Sequence, residues 1–258
     1  MKTRFLPALA SLAALAISAQ AATVIVNEIN CADPAGANPS SPSGDWFEVV
    51  VVGDGTSGST VDMRGWQFRV DQNGTTGQGY FKLSNDSYWS NVQAGTILTF
   101  CEDGSGPTGA ATAILATNNF ATLGWAHTNV WVGDTTYIDT GWGSNDGSFP
   151  IDQNNTQILI QDSTAATVFG PCGEGHVGYP GSGVSATEIF KLEANPSPSI
   201  TLTSPYNDGS TDTFGAPNQW TSGGLPNSQS FATFVVPEPS AALLLGLLPL
   251  FGLRRRRA

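Results

Sequence analysis

Residues 45–52, DWFEVVVV, constrain the chain most, because this run is nearly continuous in aromatic and β-branched residues and reads as its strongest strand. Shorter segments repeat the pattern. Residues 23–30 (TVIVNEIN) alternate after a β-rich start. Residues 61–70 (VDMRGWQFRV) set Trp66, Phe68 and Val70 against Gln67 and Arg69, as in one half-buried strand. Residues 79–83, 95–101 (GTILTFC), 130–140, 157–161 (QILIQ) and 167–170 read as further strands. Residues 187–194 suit a strand or a helical turn, and the Ala/Thr-rich stretch 110–123 a short helix. Turn signals separate them: a loop at 31–44, the turn at 53–59, Asn73-Gly74, and a glycine-rich loop at 173–185. From 195 onward Pro, Ser, Gly and Asn dominate, and 222–230 reads as a linker. There is no repeat of fixed period. Many short strands divided by turns favour an all-β sandwich with long loops.

The two ends follow other rules. Residues 1–21 carry Lys2 and Arg4, an apolar stretch from 5 to 17 and then Ala19-Gln20-Ala21. That is the layout of a secretory signal peptide with its cleavage site, so the mature chain is expected to begin at Ala22. At the other end, Val236-Pro237-Glu238-Pro239-Ser240 precedes an uncharged run, 241–253, with seven leucines in thirteen residues, and then Arg254, Arg255, Arg256 and Arg257. At roughly −0.5 kcal/mol per leucine the run favours lipid by a few kcal/mol. As a helix it would be about 20 Å long against roughly 30 Å of hydrocarbon, and Pro249 would kink it. The arginines can snorkel to the headgroups and stay cytoplasmic, leaving the body on the far side. A span this short and interrupted suits a transient insertion.

This order of parts closely resembles the PEP-CTERM sorting signal, over residues 236–258. The resemblance implies recognition by an exosortase, a membrane-embedded cysteine protease, and cleavage within 236–240. Delivery to the cell surface or the extracellular matrix would follow. The expected organisation is a signal peptide at 1–21, a body at 22–221, a linker at 222–235 and a sorting segment at 236–258.

Charge narrows the partners. Six of the ten basic residues lie in the two end segments, leaving Arg64, Arg69, Lys82 and Lys191 in the body against twenty acidic residues, a formal charge of −16. No basic stripe exists to neutralise phosphates, so nucleic acid is excluded as a partner. Cys31, Cys101 and Cys172 are an odd number. In an oxidising compartment they allow one disulfide or none, and spacing does not choose the pair.

Three short stretches resemble the lamin tail domain as bacteria use it: Ile25-Val26-Asn27-Glu28-Ile29, Asp45-Trp46-Phe47-Glu48-Val49 and Val61-Asp62-Met63-Arg64-Gly65-Trp66. Residues 92–98 are similar to that family's turn-and-strand motif, with Ala94 for the usual proline. Thr213-Phe214-Gly215-Ala216-Pro217-Asn218 is similar to its closing motif, with Phe214 for proline. The resemblance runs from about 24 to 220 with an insertion around 102–157. It implies an immunoglobulin-like β-sandwich acting as a binding or structural module.

Candidate chemistry is sparse. Trp46 and Trp66 are expected as core anchors whose indole N–H groups find partners. Glu28 and Glu48 admit an acid/base or cation-binding pair, but are favoured as structural acceptors for backbone amides or as partners of Arg64. His127 and His176 lack metal-ligand spacing, and no nucleophile elbow or phosphate loop is present. Cys172 and His176, four apart in a glycine-rich loop, make a poor nucleophilic dyad. Asp71-Gln72-Asn73-Gly74, Asn145-Asp146-Gly147 and Asp152-Gln153-Asn154 offer oxygen ligands of the kind calcium takes. The favoured reading is that they build turns, so no metal or cofactor is expected. Tyr88, Trp89, Trp125, Trp131 and Trp142 are candidates to stack on sugars, most of them more reasonably core. The expected function is a non-catalytic surface or matrix protein that binds polysaccharide or another protein. The alternative is a secreted polymer hydrolase with paired carboxylates.

Overall fold

The computed structural model describes residues 23–31, 45–72, 75–101, 117–139, 151, 155–173, 189–209 and 211–236. The signal segment with Ala19 and Ala21, and the tail from Pro237 through Arg257, lie outside the described residues. So do Asn73 and Gly74, the loop at 32–44, residues 102–116, and most of the glycine-rich loop with His176.

Fifteen strands form the described body. They begin with β1 (Val24–Asn30), β2 (Trp46–Val51), β3 (Thr60–Val61), β4 (Gln67–Gln72) and β5 (Thr75–Lys82). Next come β6 (Val92–Gln93), β7 (Thr96–Cys101), β8 (Thr117–Asn119), β9 (Trp125–Trp131) and β10 (Gln157–Gln161). The last are β11 (Thr167–Gly173), β12 (Ile189–Leu192), β13 (Tyr206–Gly209), β14 (Gln219–Ser222) and β15 (Leu225–Ser228). A seven-stranded sheet runs β13-β12-β1-β2-β7-β9-β8, and a four-stranded sheet runs β11-β10-β4-β5. The fold is all-β, as the alternation of short strands and turns implies.

The two sheets meet face to face through a phenylalanine cluster. Phe47 and Phe100, opposite each other on β2 and β7, stack with centroids 5.2 Å apart. From the other sheet Phe68 and Phe81, opposite each other on β4 and β5, stack at 4.8 Å, and Phe68 also lies 4.8 Å from Phe100. All four are fully buried. Each contributes roughly 1.5–3 kcal/mol by leaving water, and the paired rings add about 0.5–1.5 kcal/mol per pair.

β1 and β2 are buried along their whole length, so both faces of their sheet are covered. One face holds the phenylalanines. The other is covered by the chain after 210. Here the structure corrects the linker reading of 222–235. Two short strands, β14 and β15, form a hairpin across Gly223-Gly224, and Gln229, Phe231 and Phe234 are buried beyond it. Phe231 packs against Trp125 at 6.3 Å, and Val236 N–H donates to the Phe120 carbonyl at 3.2 Å. Proline, serine and glycine content suggested a tether, but three buried side chains outweigh it.

Three further expectations change. Residues 61–70 are not one strand. Gly65 adopts φ +72° and donates to the Leu83 carbonyl, which breaks the run before β4. The strand expected at 130–140 lies earlier, as β9. It pairs in parallel with β7, whereas residues 133–137 are turn. Within 110–123, the described part is β8 and a turn rather than helix. The three cysteines are separate buried thiols with no disulfide among them.

Candidate functional site

The covered outer face of the large sheet carries a polar row. Lys191, Glu28, Glu48 and Thr99 sit opposite one another across β12, β1, β2 and β7. Directly paired residues project to the same side, and Glu48 follows the core residue Phe47, so the row faces away from the phenylalanine cluster. A register shift between Val26 and Glu28 inserts Asn27 as an extra residue, and its amide reaches the same face.

The segment 212–218 closes over this row. Thr213 donates to Glu28 twice, from its backbone N–H at 3.0 Å and from its hydroxyl. Gly215 N–H donates to Glu48 Oε1 at 2.5 Å, and Thr99 Oγ1 donates to the same oxygen at 2.7 Å. His127 Nε2 lies 3.0 Å from Thr99 Oγ1. With the Thr99 proton directed at Glu48, the His127 contact takes the Nε2–H tautomer and a chain His127→Thr99→Glu48 results. Asn218 ties the segment down. Its amide donates to the Asn27 and Leu192 carbonyls at 3.0 and 3.1 Å, and its oxygen accepts from Asn27 at 3.0 Å. Gln229 bonds the Asn27 side chain at 2.9 Å and the Asn218 N–H at 3.0 Å. Gly215 is required by space and by angle. Its φ is +67°, and a Cβ there would stand 2.5 Å from the His127 ring.

Burial sets the electrostatics. Glu28 is pushed up to about 7 by desolvation, against the pull of Thr213 and of the Lys191 ammonium. Glu48 is pushed up to about 8 by desolvation and by the neighbouring Glu28 charge. Burial lowers His127 to about 4, so it is neutral. Neither carboxyl is exposed at all. Both are therefore structural acceptors for backbone amides, as favoured from sequence. Arg64 is not their partner, for it forms a 2.5 Å ion pair with Asp62.

The other sequence candidates disperse. Trp66 is buried, as expected. Trp46 is fully buried, edge-on to Phe214 at 5.3 Å, but its Nε1 has no hydrogen-bond partner among the described residues, which corrects the expectation of one. Cys172 is buried and its thiol is pushed up to about 12 by desolvation, so it supplies no thiolate. Asp71 is engaged by Arg69 at 2.6 Å and by Gly77 N–H at 2.8 Å. The other two calcium candidates, 145–147 and 152–154, lie outside the described residues. Asp54, Asp62, Asp86, Asp134 and Asp162 each accept the backbone N–H two residues on. Turn-building accounts for these five of the twenty acidic residues in the body. Trp89 is core and donates to the Tyr137 carbonyl, Tyr88, Trp125 and Trp131 are half-buried, and Trp142 lies outside the described residues.

An open groove of about 590 Å³ lies beside this network. One wall is β13 with the end of β12 and the other is the β14–β15 hairpin. Trp220, half-exposed, pairs across the hairpin with Asn227, and both line the groove with Asn207, Asp208, Glu193 and Gln219. Neither Trp220 nor the groove was legible from sequence, because the hairpin that forms the second wall read as the start of a linker. No protein-family model matches the chain, and no curated protein matches it.

Proposed function

We propose that the chain is a non-catalytic, exported surface or matrix protein whose body binds polysaccharide in the groove beside Trp220. The groove carries this reading. A tryptophan among side-chain amides and carboxylates suits a sugar, with apolar contact from the ring and hydrogen bonds to the hydroxyls. A hydrolase built on Glu28 and Glu48 finds less support, since both carboxyls are saturated with donors and shielded from any substrate.

Export rests on the two ends of the sequence. The signal segment and the Pro-Glu-Pro, apolar and arginine elements place the body outside the cytoplasm and predict exosortase processing within 236–240. The lamin-tail reading and its immunoglobulin-like sandwich gain support from the network. Asn27, Glu28, Glu48, Thr213 and Asn218, which come from three of the resembling stretches, meet on one face.

Two measurements test the proposal. Mass spectrometry of the surface fraction should find a mature chain starting at Ala22 and lacking the arginines. Recovery of an intact end carrying Arg254 to Arg257 refutes the sorting reading. A glycan array should show binding that Trp220→Ala weakens by about tenfold while the variant stays folded. Equal binding by that variant places any glycan site elsewhere.

A further inference from the structure

The groove also has a charge, and the charge specifies its ligand more narrowly. Resting on the polysaccharide reading above, we infer that the groove selects a polymer bearing protonated primary amines, that is, an amino-sugar polysaccharide with free rather than acetylated amino groups.

Glu193 and Asp208 line the groove, the first half-buried and the second exposed. Glu193 accepts an amide N–H from Asn207 at 3.3 Å, which holds it at the wall. Lys191 is the one cation among the lining residues, against Glu193, Asp208 and Asp212, and it is 4% exposed. Its ammonium is taken up by the carbonyl of Thr211, itself a lining residue, at 2.9 Å and lies near Glu28. The face offered to solvent is therefore anionic, on a body of charge −16. A uronate or sulfated polymer would meet net like charge there, three lining carboxylates against one lysine.

An ammonium is attracted twice. The π face of a tryptophan is the best aromatic partner for a cation, and carboxylates beside it add charge-assisted hydrogen bonds. Each partly exposed contact of either kind is worth about two- to fivefold in affinity at low salt. The amides of Asn207, Gln219 and Asn227 and the hydroxyl of Thr221 then match ring hydroxyls, a complement that a lysine side chain does not use. That favours a sugar polymer over a basic peptide.

The test is a calorimetric titration of the full mature body with three probes. These are a fully de-N-acetylated glucosamine oligomer, its N-acetylated counterpart and an oligolysine of equal charge. In about 20 mM salt the free-amine oligomer should bind at least about fivefold tighter than the acetylated one, with the gap closing near about 300 mM. Asp208→Asn with Glu193→Gln should reduce the free-amine oligomer to the acetylated level. Trp220→Ala should weaken both sugars by about tenfold. Near-ultraviolet circular dichroism confirms that each variant is folded. If the acetylated oligomer binds as well as the free amine, and still depends on Trp220, the amine inference fails while the polysaccharide groove stands. If neither sugar binds, both fail. If oligolysine binds as tightly with the same dependence on Trp220 and Asp208, the partner is a basic protein and the inference is overturned.

Discussion

Replacing Glu48 with glutamine tests the physics of the covered face most directly. In the unfolded chain both glutamates ionise near their ordinary value of 4.5, whereas in the fold Glu28 does so near 7 and Glu48 near 8. Between these limits the native state binds more protons than the unfolded state, so stability is greatest on the acid side and falls as pH rises through 7 and 8. His127 has the opposite sign. Its value is lowered from 6.5 to about 4, so it costs stability only as pH falls below 6.5. Above 6.5 the glutamates act alone. Counting one retained proton, the loss is about 1.4 kcal/mol per pH unit, or about 2 kcal/mol between pH 6.5 and 8. For a body of this size that lowers the melting temperature by roughly 4–8 °C. Glu48→Gln keeps an oxygen for Thr99 and Gly215 but puts two N–H donors, in place of the single carboxyl O–H of the protonated acid, beside the Asn27 amide that lies 3.4 Å from Glu48 Oε2. Asn27 cannot flip to help, because Asn218 and Gln229 hold both its ends. The variant should be about 1 kcal/mol less stable at pH 6. Its thermal profile should be flatter, meeting or crossing the wild-type curve by pH 8. Scanning calorimetry across pH 5.5–8.5 reads both slopes. Parallel profiles, or a wild-type melting temperature that rises from pH 6.5 to 8, refute the buried-carboxyl account.

Two further outcomes follow from the same packing. Gly215→Ala forces a side chain into a left-handed backbone position and against His127. It should cost on the order of 2–4 kcal/mol in chemical denaturation, while alanine at the open Gly223 should cost about 1–2 kcal/mol from backbone conformation alone. Phe234→Ala should lose about 3–5 kcal/mol, because the ring is 1% exposed in the core; a loss below about 0.5 kcal/mol would restore the linker reading of 222–235.

The local patterns of the sequence carry much of the fold. The strands at 45–52, 95–101 and 157–161 were legible because β-branched and aromatic residues alternate or run on between glycine, asparagine and proline turns, and such patterns need only neighbouring residues to be read. Glu28 and Glu48 were legible as acceptors, and Thr213 to Asn218 as a motif, but not as partners. Their union depends on contacts separated by 167 and 185 residues, and no local rule reports these. The same is true of His127, whose part appears only once β9 joins β7 in parallel, a pairing no short turn announces. The error at 222–235 has a related cause. Composition describes how freely a segment moves when nothing touches it, whereas Gln229, Phe231 and Phe234 are held by what they touch. By itself the sequence determined that the chain is a turn-rich, acidic β-protein and where its strong strands lie. Only the tertiary structure decided that two carboxyls share a buried face under the segment 212–218, and that Trp220 lines an open groove. Burial and cross-chain hydrogen bonds are properties of the packed whole, not of any window of residues.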